Sequence, residues 1–167
     1  MGKIQEVIMS KSSLGSETPG IKIIAKNKRA WFDYFIEEKY EAGISLLGSE
    51  VKSIRGGHVS MGDAFAKFSE GTNPELFLYN AHISEYAWAN RNNHDPLRPR
   101  KLLMHKRELA KLSHILDRQG LTLVPLSMYF KFGRVKVELG LARGKKNYDK
   151  RETLKTKTAQ RDMERGY

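Results

Sequence analysis

The chain reads as mainly β with outer helices: a small antiparallel barrel of OB-like character followed by a basic C-terminal tail. Three observations predict this. Tyr34 to Leu47 and Val135 to Leu141 alternate apolar with polar residues, the period of two that marks half-buried strands. Connections between successive strands are short, whereas a parallel sheet would need a helix at every crossover. Helical signals are confined to two segments, one just after Gly48 and one over His105 to Gln119.

In chain order, Met1 to Gly20 mixes small polar and apolar residues without sustained periodicity and ends in Pro19 and Gly20, so it is expected to be a flexible leader. Ile21 to Ile24 can begin a strand. Lys26, Asn27, Lys28 and Arg29 then bring three cations and an amide together, a cluster that suits a solvated turn and a phosphate-contacting one about equally. The long strand from Tyr34 runs into a short helix in which Ser49 can cap, Glu50 suits the positive N-terminal end, and Gly56 and Gly57 supply a stop. Ala64 to Ser69 and Glu75 to Asn80 form a hairpin, and a further strand is expected through His82, Ile83 and Tyr86. Asn90 to Arg100, with Arg91, Arg98 and Arg100, breaks all periodicity and is the longest internal loop, of a length that is often functional. Leu109, Leu112 and Leu116 put an apolar stripe on the helix that Gly120 ends. Leu121 to Phe130 is a strand interrupted by Pro125, which implies an edge or a bulge there.

The organisation is therefore a leader over 1–20, a nucleic-acid-binding barrel over 21–143 and a tail over 144–167. The tail holds eight Lys or Arg against four Asp or Glu and few large apolar side chains, so it is expected to be disordered or frayed when free. At 167 residues and 40% hydrophobic content there is material for one core. The 30 Lys and Arg against 19 Asp and Glu leave a formal charge of +11, which points to a polyanionic partner, nucleic acid before membrane. The absence of cysteine excludes disulfides, thiol catalysis and cysteine-based metal sites, and suits a cytoplasmic protein.

No catalytic apparatus is visible. The histidines at 58, 82, 94, 105 and 114 never pair at i, i+3 or i, i+4, so no local metal motif appears, and no cofactor is expected. His94 and Asp95 share the polar loop, but no nucleophile-elbow motif accompanies them. No Gly-rich phosphate loop opens a helix.

Several blocks, in order and with compatible spacing, carry a resemblance: Asn27-Lys28-Arg29-Ala30, Tyr34-Phe35-Ile36-Glu37-Glu38, Glu41-Ala42-Gly43-Ile44, Gly48 with Glu50-Val51-Lys52-Ser53, Arg100-Lys101-Leu102-Leu103, Arg107-Glu108-Leu109, and Gly144-Lys145-Lys146 with Asp149-Lys150-Arg151. From about Ile23 to Arg151 the chain closely resembles the SmpB family, the SsrA-binding proteins that partner transfer-messenger RNA. The resemblance implies a monomeric, non-enzymatic factor of trans-translation that holds the tRNA-like domain of that RNA and brings it to stalled ribosomes, with no membrane partner. It implies RNA contacts at Asn27, Glu41 and Leu103. It also implies a ribosomal role for Arg143, Lys145, Lys146, Tyr148, Asp149, Lys150 and Arg151, where Tyr148 stands at a position at which histidine is also common.

Physically, Asn27, Lys28 and Arg29 would offer an amide, a point charge and a planar fork to phosphate or 2′-hydroxyl groups. Glu41 would have to accept a hydrogen bond or orient a basic neighbour. By pattern alone a surface glutamate paired with lysine is the favoured reading, and the resemblance reverses that preference. Leu103 can equally belong to the core. The rival functions are a generic OB-type single-strand RNA or tRNA-binding module, which would not need the tail, and an RNA-processing enzyme, which would need clustered acids or a paired histidine.

Overall fold

The computed structural model of the protein describes residues 20–89, 91 and 93–166; the leader expected over 1–20 lies, but for Gly20, outside the described residues. Nine strands and four helices follow: β1 Ile21–Lys26, α1 Lys28–Asp33, β2 Tyr34–Ile44, α2 Gly48–Arg55, β3 Val59–Ser60, β4 Phe65–Phe68, β5 Leu76–Tyr79, β6 His82–Ile83, β7 Arg100–Leu103, α3 Lys106–Gln119, β8 Thr122–Lys131, β9 Arg134–Gly144 and α4 Asn147–Glu164. Six strands close a ring, β8-β4-β5-β7-β2-β9 and back to β8, all antiparallel, as the OB-like expectation requires. β1 lies outside the ring on the distal half of β8, and β3 pairs with β6 as a separate ribbon.

Alternation puts Tyr40, Ala42 and Ile44 of β2 and Val135, Val137 and Leu139 of β9 inside, where they meet Leu76, Leu78, Leu102, Leu123 and Met128. α3 closes the ring with its leucine stripe, burying Leu112 completely, and ends where Gly120 adopts a left-handed φ of 60°. The predicted interruption at Pro125 is a bulge in β8, between Pro125 and Ser127. It turns Leu126 outward, and Val124, Leu126 and Ala142 form a second small core roofed by Ala30 of α1. Gly140 lies close beneath it: a Cβ there would stand 3.0 Å from Leu126, which would have to shift.

Three expectations are corrected. Residues 26–29 are no free turn: Asn27 caps α1, which the sequence analysis lacks altogether. β2 ends at Ile44, not Leu47, and α2 starts at Gly48 with Leu47 rather than Ser49 at its N-cap; the Glu50 carboxylate reaches back to accept the Leu47 N–H at 2.8 Å. Two of the three arginines of the long loop point inward: Arg100 is fully buried, its Nε 2.9 Å from a buried Glu50 oxygen, and Arg98 closes on the same carboxylate at 2.8 Å, while Arg91 is exposed. Burial alone would raise the Glu50 pKa, but donation by Arg98, the Leu47 N–H and Arg100 more than offsets it and holds the acid below the ordinary carboxylate value. Burial also lowers Arg100, yet a guanidinium starts so high that the pair stays ionised. Residues 147–164 form a helix. Asp149 accepts the Lys146 N–H, and Thr153, Thr156 and Thr158 donate to carbonyls one turn back, but no residue of α4 is buried.

Candidate nucleic-acid interface

The outer face of the wall β7-β2-β9-β8 gathers two of the five RNA-contact candidates, Glu41 and Leu103. Leu103 pairs with Gly43, Gly43 with Lys136, and Lys136 with Tyr129, so one row of side chains crosses four strands. Glu41 is two residues from Gly43 on the same face. Register thus brings Glu41 and Leu103 together although 62 positions separate them. Leu103 is 51% exposed, which places it outside the core that Leu102 occupies. Gly43 leaves a gap between them: a Cβ there would face Leu103 Cβ at 3.4 Å and Lys136 Nζ at 3.7 Å.

Glu41 accepts a 2.5 Å hydrogen bond from the Tyr129 hydroxyl and pairs with Lys131 Nζ at 3.2 Å. The Tyr129 donation, then Lys131 and Lys136, keep its pKa below the ordinary value against some desolvation. It is therefore an ionised acceptor at neutral pH. Directly across the ladder stands Glu138, a like charge, balanced by Lys39 at 3.6 Å and by Ser127, which donates at 3.0 Å. The lysine-paired glutamate of the bland reading is thus present, but it sits in a floor of Tyr129, Gly43 and Leu103 bordered by Lys131 and Lys136. Sequence inspection missed Gly43 and Lys136, on outward positions of the two period-two strands, and Tyr129 and Lys131, on the same face of β8.

Asn27 departs from its expected role. It is buried, its Nδ2 donates to the carbonyls of Met61 at 3.0 Å and Pro125 at 2.9 Å, and its Oδ1 accepts the Ala30 N–H at 3.2 Å. Its backbone N–H donates to Leu126 O. The amide joins β1 and α1 to the bulge of β8, with both Nδ2 hydrogens and one Oδ1 lone pair engaged inside the fold. Lys28 is exposed, whereas Arg29 pairs with Asp63 at 2.7 Å and Asp33 at 3.3 Å.

The tail candidates divide into two groups. Arg143 pairs with Glu37. Lys145 donates its N–H to Asp33 O and its Nζ to Trp31 O, and lies 5.0 Å from the Phe35 ring centroid. Lys150 pairs with Asp33 at 3.4 Å. These three fasten the root of α4 to α1 and the start of β2, and Asp149 caps the helix. Lys146, Tyr148 and Arg151 are exposed, Tyr148 by 69%. The clamp residues Trp31, Asp33 and Glu37 carry no signal in sequence, since their partners lie more than 100 positions away.

The histidine and acid of the long loop form no reacting pair. His94 is buried, its Nε2 against Ile83 O and its Nδ1 against Ser49 Oγ, both at 2.9 Å, while Asp95 accepts the Leu97 N–H. Among the described residues no three His, Asp or Glu side chains converge as metal ligands, and no helix is long and apolar enough to cross a membrane.

Comparison with known proteins is consistent across sequence and structure. The SmpB protein family model matches residues 24–167. The SsrA-binding protein of Geobacillus thermodenitrificans is 59% identical over 146 residues, 87% of this chain and 92% of that protein. That of Bacillus subtilis is 56% identical over the same shares of both chains. A chain of the solved structure described as "tmRNA-SmpB: a journey to the center of the bacterial ribosome" is 52% identical and superposes with a TM-score of 0.60 over 74% of this chain and 85% of that one.

Proposed function

This chain belongs to the SmpB family, and from that premise we propose that it binds transfer-messenger RNA and acts with it in trans-translation on the ribosome. The observation that carries the residue-level reading is the face on which Glu41, Leu103 and the Gly43 gap adjoin Lys131 and Lys136. An ionised carboxylate held by Tyr129 repels phosphate but accepts a hydrogen bond from a 2′-hydroxyl or a base edge, and the flanking lysines take the phosphates. Leu103 beside a position without a side chain offers an apolar shelf to an unstacked base. We assign this face to the tRNA-like domain of the RNA, in a cytoplasmic, non-enzymatic protein.

Lys146, Tyr148 and Arg151 project from the other end of the wall, where a ribosomal RNA surface would meet two cations and an aromatic plane. Arg143, Lys145 and Lys150 serve the same step indirectly by fixing where the tail leaves the ring. Asn27 is a positioning residue for α1.

The test is a gel-shift titration against transfer-messenger RNA at fixed salt. Glu41→Ala and Gly43→Val, the second filling the shelf on a strand that tolerates valine, should each weaken binding while the far-UV spectrum stays native. Unchanged affinity in both refutes the placement. Truncation after Arg143 should leave that affinity largely intact and abolish peptide tagging in a reconstituted system; tagging at the normal rate would reduce the tail to a charge anchor.

A further inference from the structure

The turn between β8 and β9 is built from the wrong residue for its geometry. Lys131 pairs with Arg134, leaving Phe132 and Gly133 as a two-residue loop, and both have positive φ, 49° and 79°. Such turns favour Asn, Asp or Gly, because a bulky side chain in the left-handed region is strained. Phe132 accepts that strain and is nevertheless 79% exposed. One edge of its ring covers Gly20, whose carbonyl accepts the Phe132 N–H at 3.0 Å, but asparagine would make the same backbone bond. Among the described residues nothing else requires the ring.

Its position offers a reason. Phe132 follows Lys131, the partner of Glu41, and the turn stands about 13 Å beyond Glu138 along β9, four residues at the rise of a strand. Arg134 stands opposite Lys131 on the same face, and on the other face Lys22 pairs with Phe130, whose ring lies 5.8 Å from the Arg55 guanidinium. The tip is therefore an exposed aromatic ring flanked in the turn by the cations Lys131 and Arg134, at the end of the face assigned to RNA. Backbone strain held at an exposed position marks function more often than stability.

We propose that Phe132 is an RNA-binding residue, a platform on which an unpaired base stacks at the distal end of the Glu41 face. This rests on the reading of that face as the RNA interface. A stacked base sets the size of the effect, and its loss should weaken binding roughly 5- to 150-fold.

The strain makes the test discriminating, because stability and affinity should move in opposite directions. Phe132→Asn suits the turn, so its melting temperature should rise while its affinity for transfer-messenger RNA falls within that range; Phe132→Trp should retain affinity. If Phe132→Asn binds as tightly as the parent, or loses stability together with affinity, the ring only shields Gly20 and the proposal is overturned. Glu41→Ala measured alongside separates the two ideas. Weakening by Glu41→Ala alone leaves the RNA face standing without the platform, and no weakening by either removes the face itself.

Discussion

Replacing Asn27 by alanine tests whether this residue holds RNA or holds the fold. The substitution deletes the cap on α1, a loss of about 1 kcal/mol, and withdraws the donors from the Met61 and Pro125 carbonyls, about 1 kcal/mol each when the acceptors are buried. The three share one amide and are not strictly additive, so about 3 kcal/mol is expected in all. For a chain of 167 residues that is a fall in melting temperature of about 6–12 °C. Asn27→Ser keeps an acceptor for the Ala30 N–H and should recover only the capping share. Circular dichroism melts give the stability, and RNA titrations well below the lowered midpoint give the affinity of the folded fraction. A melt within 2 °C of the parent, accompanied by a large loss of affinity, would refute the reasoning and restore Asn27 as a direct contact.

Glu50→Gln should cost about 3–5 kcal/mol in urea unfolding, since it leaves Arg100 charged and uncompensated inside the protein. Because the folded-state pKa of Glu50 is depressed, its contribution is complete above the unfolded value near 4.3 and disappears as pH falls through the lower folded value; the variant should therefore show a shallower acid limb than the parent. Amide exchange should be fast over 155–164, where α4 buries nothing, and slowest in β8 and β9; protection of those tail amides equal to that of the ring would contradict an opening free energy near zero. Asp33→Asn should loosen the root of the tail by removing the Lys150 pair, seen as faster exchange at 147–153, while RNA affinity stays at the parent level. Affinity for transfer-messenger RNA should fall steeply with salt in a log-log plot, and a flat plot would exclude several phosphate contacts.

Much of the ring could be read without coordinates because its inner face is written in local periodicity. The alternations in β2 and β9, the leucine stripe of α3 and the bulge at Pro125 all appear where expected. The failures share a cause. α1 is six residues long, too short for a periodic stripe, and depends on an amide bonded to residues 34 and 98 positions away. Arg100 looks like a loop cation until the fold brings Glu50 to it from 50 positions upstream. At the candidate site the resemblance supplied Glu41 and Leu103, but their adjacency is a matter of strand register, and so is the presence of Tyr129 and Lys136 beside them. Charge counting could not separate the tail cations that clamp from those that face outward, because the clamp partners Trp31, Asp33, Phe35 and Glu37 are more than 100 positions away in sequence and meet them only where β2 begins beside the end of β9.

The closed ring also has a history in time. Tyr34 pairs with Gly144, 110 positions later, so β2 cannot acquire its main partner until almost the whole chain has been synthesised. During that interval its edge, with Tyr40, Ala42 and Ile44 still unpacked, is available to any other strand, including those of neighbouring nascent chains. Contacts of such long sequence separation make folding slow relative to helical domains of the same size. The last strand to emerge, β9, joins β2 on one side and β8 on the other, and thus closes the ring in a single late event. A protein truncated near Val137, early in β9, should accumulate as an aggregation-prone intermediate, whereas one truncated after Arg143 retains nearly all of the β9 pairing needed for closure.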